Sequence, residues 1–308
     1  MRNGAFRMLV LGDSVPWGQG LLENDKCFTL VAQGLAARPG SAPQEPPSVL
    51  AHSGAIIGVG VSTDEGPLDG EVPTAYPTIL EQVALFNDSP ETVDLILMDG
   101  GINDVDIRDI FNPLSDTSHL QDWIEAHCHV HMKDLLDQVT AKFSLSTARI
   151  CVTGYYPVLS AASDPDFFKP FLKAIGAPWL DYLGNILEDV VKDKIIENSM
   201  IFSEQSAVAL QKAVTEANSS PTALGRIVFV NSGFGPENSA FAGKNAWVFG
   251  VNDDVDFSPE DEVIASRQAS CVICEPDLLQ RWVCDRASAG HPNALGAKQY
   301  AAQILASL

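Results

Sequence analysis

Residues 8–18, Met8-Leu-Val-Leu-Gly-Asp-Ser14 followed by Val15-Pro-Trp-Gly18, carry the strongest structural signal in this 308-residue chain. Four consecutive apolar residues, Met8 to Leu11, have the length and continuity of a strand buried on both faces, as a parallel sheet requires. Gly12 ends the run, and Asp13 and Ser14 are residue types that start helices by capping them. A strand that stops at Gly-Asp-Ser leaves the Ser14 hydroxyl at the carboxyl edge of the sheet, where open α/β folds build their sites.

Four further apolar runs repeat this pattern: Val49 to Ala51, Leu95 to Met98, Ile150 to Val152 and Ile227 to Val230. Between them, Tyr76 to Phe86 and Leu120 to Phe143 place apolar residues three or four positions apart, the period of a helix with one buried face. Alternation of this kind predicts a five-stranded parallel sheet covered by helices on both sides. One elaborated domain, residues 1–308, accommodates all five runs. It carries a helical insertion around 155–225, too long for a simple crossover, and a long loop around 231–290. Within the insertion, FFKPFLKAIGAPWLDYLGNILEDVV (167–191) is suited to extra core helices or to one wall of an acyl pocket. Within the loop, FAGKNAWVFG (241–250) is rich in glycine and aromatics.

Charge excludes whole classes of partner. Against 19 Lys and Arg stand 40 Asp and Glu, a formal net charge of −21. Such a surface repels polyphosphate, so no nucleic acid partner is expected. No run approaches the roughly 18 apolar residues of a membrane helix, so no integral membrane segment is expected. The opening MRNGAFRMLVLGDS runs directly into the first strand without the regions of a signal peptide, which leads to the expectation of a cytoplasmic protein. The six cysteines, Cys27, Cys128, Cys151, Cys271, Cys274 and Cys284, are compatible with three disulfides or with six thiols.

Three more segments carry chemistry. Gly54 in His52-Ser-Gly-Ala55 and Asn103 in Gly101-Ile-Asn-Asp104 follow the second and third runs, again at the carboxyl edge of the sheet. A glycine lets its N–H approach a ligand closely, and an asparagine amide can donate to a developing oxyanion. His291, in Gly290-His-Pro-Asn293, precedes the helix-like ALGAKQYAAQILASL, with Pro292 or Asn293 able to start that helix. Asp104 is suited to anchoring its loop through backbone hydrogen bonds.

The order Gly12-Asp13-Ser14, Gly54, Gly101-Ile-Asn103-Asp104 and His291-Pro-Asn resembles the SGNH, or GDSL, hydrolase family, although Tyr155 to Asp285 contributes no motif to it. The resemblance implies a three-layer α/β/α fold of flavodoxin-like character and a serine esterase that uses no cofactor and no metal. It implies that Ser14 attacks a carboxylic ester, that His291 is the general base, and that the Ser14 N–H, the Gly54 N–H and the Asn103 side chain form the oxyanion hole. Many members carry an aspartate three residues before the histidine. Here that position is Ser288, so the ring's orienting acceptor is expected to be the Ser288 main-chain carbonyl, with Asp285 as the alternative. A small-molecule acyl or lipid ester is the expected substrate; a carbohydrate O-deacetylase and a noncatalytic module on the same fold are the alternatives.

Other clusters have plainer explanations. His127, His129 and His131 lie in a stretch whose Leu120, Ile124, Cys128, Leu135 and Val139 form an apolar stripe, so exposed histidines on a surface helix are expected rather than a metal site. Cys271 and Cys274 form a CxxC without the second close pair that zinc wants. Trp17, Trp247, Phe249 and Trp282 are expected to be core packing before pocket lining.

Overall fold

The computed structural model describes residues 5–61, 69–182, 189–223, 225–251, 258, 260–275 and 277–308. Residues 1–4 of the opening segment, 183–188 of the insertion and 252–257 of the long loop lie outside the described residues.

All five apolar runs form strands: β1 (Met8–Val10), β2 (Ser48–Val49), β3 (Leu95–Met98), β4 (Arg149–Thr153) and β5 (Ile227–Val230). They pair only in parallel, in the order β2-β1-β3-β4-β5. This is the flavodoxin-like order, whose switch point lies between β1 and β3.

Three layers follow from period-2 alternation along strands with no polar face. Leu9, Ile96, Met98, Ile150, Val152 and Ile227 point into one core, with the Ile79–Leu85, Thr117–Lys142 and Asp189–Ala217 helical segments. Met8, Val10, Leu95, Leu97, Cys151 and Val230 point into the other, against Phe28, Val31, Ala301 and Ile304 of the Cys27–Ala36 and Ala294–Ser307 helices. The fold is a three-layer α/β/α sandwich.

The sequence reading differs from the structure in two places. The Thr117–Lys142 helix is not uniformly α: Glu125–His131 is a π-helical stretch within it. The 231–290 segment is not a loop throughout, because Ile264–Cys274 and Leu278–Asp285 are helices. These two are joined by a Cys271–Cys284 disulfide, and Arg267 is completely buried between them and the site. A crosslink and a buried ion pair, rather than a long apolar stripe, hold them in place, which is why hydrophobic periodicity does not reveal them. Cys27, Cys128, Cys151 and Cys274 are free thiols. The outcome is thus neither three disulfides nor six thiols, and the CxxC is split between a disulfide and a thiol. Among the described residues no helix is long and apolar enough to cross a membrane.

The exit of β1 is clamped by a side chain. The fully buried Gln82 of the Ile79–Leu85 helix accepts from the Gly12 N–H at 2.8 Å and donates to the Gly12 carbonyl at 2.9 Å. Both groups lie where the ladder ends; the Gly12 carbonyl also accepts the His52 N–H at 3.1 Å, whereas the Gly12 N–H depends on the Gln82 amide. Gln82→Leu keeps the volume and strands the Gly12 N–H, while the Gly12 carbonyl keeps the His52 N–H. It is expected to cost about 1 to 3 kcal/mol in denaturant unfolding, the cost of one orphaned buried group. A cost below about 1 kcal/mol contradicts the clamp.

Candidate active site

Ser14 opens a one-turn helix, Ser14–Trp17, directly after β1. Asp13 caps this helix by accepting the Val15 N–H at 2.8 Å. The other Asp13 oxygen accepts from the Tyr155 hydroxyl at 2.8 Å, and the Asp13 N–H donates to Asp99 Oδ1 at 3.0 Å. Tyr155 Oη also accepts the Ile102 N–H at 3.2 Å, so one phenol ties the cap of Ser14 to the helix that carries Asn103. Burial raises the pKa of both acids. The rise is stronger for Asp99, because the charge of Asp13 adds to the effect.

The Ser14 hydroxyl, 4% exposed, lies 2.7 Å from His291 Nε2. Ser288 to His291 is a tight turn closed by the His291 N–H on the Ser288 carbonyl at 2.9 Å, with Gly290 at φ 85 in the position that favours glycine. On its other side the loop pairs like a strand. Phe249 N–H donates to the His291 carbonyl at 2.7 Å, Gly290 N–H donates to the Phe249 carbonyl at 2.9 Å, and Val248 bridges Pro292 antiparallel. The Tyr156 hydroxyl holds the Gly290 carbonyl at 2.9 Å, and Asn293 caps the last helix through the Leu295 and Gly296 N–H groups.

Of the two expected acceptors, Asp285 does not meet the imidazole, whereas the Ser288 carbonyl is the backbone group that most favours the charged ring. The Ser288 carbonyl is engaged by His291's own N–H because the turn requires it. Ser288, Ala289 and Ala287 carbonyls surround the ring and favour its charged form, but Nδ1 has no hydrogen-bond partner among the described residues. Asp285 makes no hydrogen bond to His291 either; its carbonyl accepts from Arg267 Nε at 3.1 Å, and its Oδ1 is buried and unpartnered. Burial dominates the ring's equilibrium and pushes its pKa down to about 4, with Arg267 adding to the fall. The ring is therefore neutral at neutral pH, with Nε2 facing Ser14.

Gly54 has φ 79, and a Cβ there would stand 2.6 Å from the Thr74 nitrogen, so only glycine fits. Among the described residues the Ser14 and Gly54 N–H groups have no protein acceptor. Asn103 Nδ2 donates one hydrogen to the Ala55 carbonyl at 3.0 Å, which leaves its second hydrogen available. Asp104 accepts the Ile57 N–H through both oxygens, at 3.0 and 3.2 Å, and so fixes the Gly54 loop against the Asn103 helix. Ser14, Gly54, Asn103 and His291 all line one cavity of about 140 Å³. The rest of its wall includes Ile102, Ile107, Val158, Ile175 and Val283. A groove of about 1140 Å³ adjoins it, sharing Pro73, Ile175 and Val283.

The insertion thus supplies both core and pocket wall, whereas FAGKNAWVFG does not line the cavity. Phe241 stacks on Phe167 at 5.1 Å, Trp247 packs edge-on against Phe234, and Phe249 is buried with Leu21 and Ala297. Trp17 lies under the Lys26 ammonium, and only Trp282 of the four flagged aromatics reaches the adjoining groove.

Sequence reasoning missed Tyr155, Tyr156, Gln82, Asp99 and the pair Arg267 and Glu71. Arg267 is ion-paired with Asp261 and, at 3.2 Å, with Glu71. Glu71 also accepts from Trp17 Nε1 and Gln19 Nε2, each at 3.0 Å. This network links the segment after Ser14 to the loop before His291. Its signal in the sequence is absent, since isolated charged residues far apart carry no spacing.

Among solved structures, the chain is similar to Est24, a carbohydrate acetylesterase from Sinorhizobium meliloti, at 12% identity and a TM-score of 0.43, over 98% of this chain and 97% of that one. It is also similar to the lipase Lip_vut3 from a goat rumen metagenome, at 16% identity and a TM-score of 0.44, over 89% of this chain and all of that one. No family model and no curated protein matches the sequence.

Removing one partner from a buried ion pair leaves the others uncompensated. Arg267→Leu is therefore expected to lower unfolding stability by about 3 to 5 kcal/mol, read from denaturant curves. A change below about 1 kcal/mol shows that the network does not hold this region together.

Proposed function

We propose that this chain is a carboxylic ester hydrolase of the SGNH type, acting through an acyl-Ser14 intermediate. The observation that carries this reading is the 2.7 Å contact between Ser14 Oγ and His291 Nε2, made across 277 residues of sequence and opening into the cavity that Gly54 and Asn103 share. A hydroxyl donating to a neutral, buried imidazole is the arrangement of an activated nucleophile.

In the proposed reaction Ser14 Oγ attacks the acyl carbonyl while its proton passes to His291 Nε2. The carbonyl oxygen becomes an oxyanion and accepts hydrogen bonds from the Ser14 N–H, the Gly54 N–H and the Asn103 amide. Each such donor is worth roughly 3 to 4 kcal/mol of transition-state stabilisation. The intermediate collapses, and His291 returns the proton to the departing alcohol. Water then attacks the acyl-serine, His291 takes its proton, and the carboxylic acid leaves with Ser14 restored. The aliphatic residues of the wall support an apolar acyl group as the part held in the cavity.

The histidine sets the expected pH profile. Burial penalises imidazolium, so His291 stays neutral as pH falls through about 6.5, where an ordinary histidine protonates. The kcat/KM for a short-chain ester is expected to hold until pH approaches about 4, with folding checked by circular dichroism at each point. An acidic limb with its midpoint above about 6 excludes His291 in this environment as the base.

A fluorophosphonate probe with peptide mapping tests the nucleophile. Folded protein is expected to label at Ser14, and Ser14→Ala and His291→Ala are expected to lose at least about 1,000-fold in kcat/KM. No label at Ser14 in folded protein overturns the proposal in favour of a noncatalytic module. Asp285→Asn is expected to keep most activity, because Asp285 makes no bond to the ring; a loss as large as that of His291→Ala makes Asp285 a triad acid. Comparing short-chain, long-chain and acetylated-sugar esters then assigns the acyl group, with the short and medium aliphatic chains expected to be preferred.

A further inference from the structure

Asp104, next in the chain to Asn103, meets two histidines of the π-helical stretch. His127 Nδ1 and His131 Nδ1 face each other at 3.1 Å, and Asp104 Oδ1 lies 3.9 Å from His127 Nδ1. One donor atom from each of the three lies within 4.8 Å of the others. We propose that Asp104, His127 and His131 form a binding site for one divalent transition-metal ion, with zinc the best match.

The distances suit a shared ion. Ligands bound at 2.0 to 2.1 Å stand about 2.9 to 3.4 Å apart at octahedral to tetrahedral angles, and the two imidazole nitrogens fall inside that range. The carboxylate has to close in by at least about half an ångström on His127, and the three donors, which lie within 4.8 Å of one another, have to contract around the ion. Two imidazoles and one carboxylate select zinc and its first-row neighbours over magnesium and calcium, which take oxygen donors. Three protein ligands leave a fourth position for water, and His127, with 22% of its side chain exposed, keeps a route to solvent.

Local structure prepares the donors. The π-helical stretch Glu125–His131 presents both histidines, and π segments inside α-helices recur at functional sites. Trp123 packs edge-on against the His127 ring, and the two imidazoles stand nearly perpendicular at 4.8 Å. Asp104 is only 6% exposed and is already fixed by the Ile57 N–H. Burial pushes its carboxyl up to about 6, and burial together with His131 pushes His127 down. A buried acid beside an imidazole that resists protonation gains most from a cation that brings no proton. Occupation would tie the Glu125–His131 stretch to the helix that carries Asn103. His129 is not part of the site; it is held between Glu125 and Glu216.

The test uses the full chain, stripped with a chelator and titrated with Zn²⁺ by calorimetry, and with Co²⁺ by visible absorption. The expected result is one saturable high-affinity equivalent, an imidazole-ligated Co²⁺ spectrum, and a rise of about 5 °C in the unfolding midpoint at a hundredfold excess over Kd. His131→Ala and, separately, His127→Gln are expected to weaken Zn²⁺ binding at least tenfold, while Cys274→Ser leaves it unchanged. Absence of a saturable equivalent overturns the site. So does binding that survives both histidine substitutions, which would place the ion on surface carboxylates or the free thiol. None of these measurements reads ester hydrolysis, so the metal site and the proposed activity stand or fall separately.

Discussion

The turn from β1 into the Ser14 helix is gripped from three sides, and the rest of the site depends on that grip. Gln82 pairs with Gly12, Asp99 accepts from the Asp13 N–H, and Tyr155 donates to the Asp13 carboxylate. All four side chains are buried, so each bond is made in a medium where losing it is costly. A serine on a four-residue helix has no cooperative helical stability behind it. Its position comes from these tertiary bonds. The same bonds reach outward, since Tyr155 also holds the Ile102 N–H and thereby the helix of Asn103.

The fold was largely legible because its signal is local. A strand buried on both faces cannot hide its apolar run, and β1, β3, β4 and β5 fall on the predicted residues to within one or two positions. The Ser14, Gly54, Asn103 and His291 segments were visible for the same reason: each sits just past a strand or before a helix, with turn residues beside it. Invisible to the sequence were residues that act across the fold. Gln82 looks like any polar residue on an amphipathic helix, and nothing near it announces a bond to Gly12. Arg267 and Glu71 lie 196 positions apart in the chain and meet only in the folded structure. For the orienting acceptor of His291, sequence pointed to the nearby Ser288 carbonyl, and that carbonyl has the largest backbone effect favouring the charged ring.

The histidine cluster shows the same limit from the opposite direction. The stripe reading was sound, since Leu120, Ile124, Cys128, Leu135 and Val139 are all buried, but the histidines expected to be exposed are not: His129 is buried, and His127 and His131 are half-buried. Such a stripe fixes which way a helix faces without saying what meets its partly exposed flank. That flank is met by Asp104, whose first duty is to hold Ile57, so one carboxylate links the oxyanion loop, the Asn103 helix and the two imidazoles.

Without a carboxylate behind it, His291 has to be kept in the useful tautomer by other means. If Ser14 donates to Nε2, the ring proton must sit on Nδ1. The carbonyls of Ser288, Ala289 and Ala287, in that order, favour the charged ring and so a proton there. Their pull is weaker than the opposing effect of burial, which is why the ring's pKa falls rather than rises. A carboxylate at Nδ1 would reverse that balance and strengthen the base, at the cost of protonation at mildly acid pH. In the proposed reaction this arrangement gives a weaker base that stays unprotonated over a wider range. Transition-state stabilisation would then fall more heavily on the proposed oxyanion donors, whose segments are tied together by Asp104 on the Ile57 N–H and by Tyr155 on the Ile102 N–H.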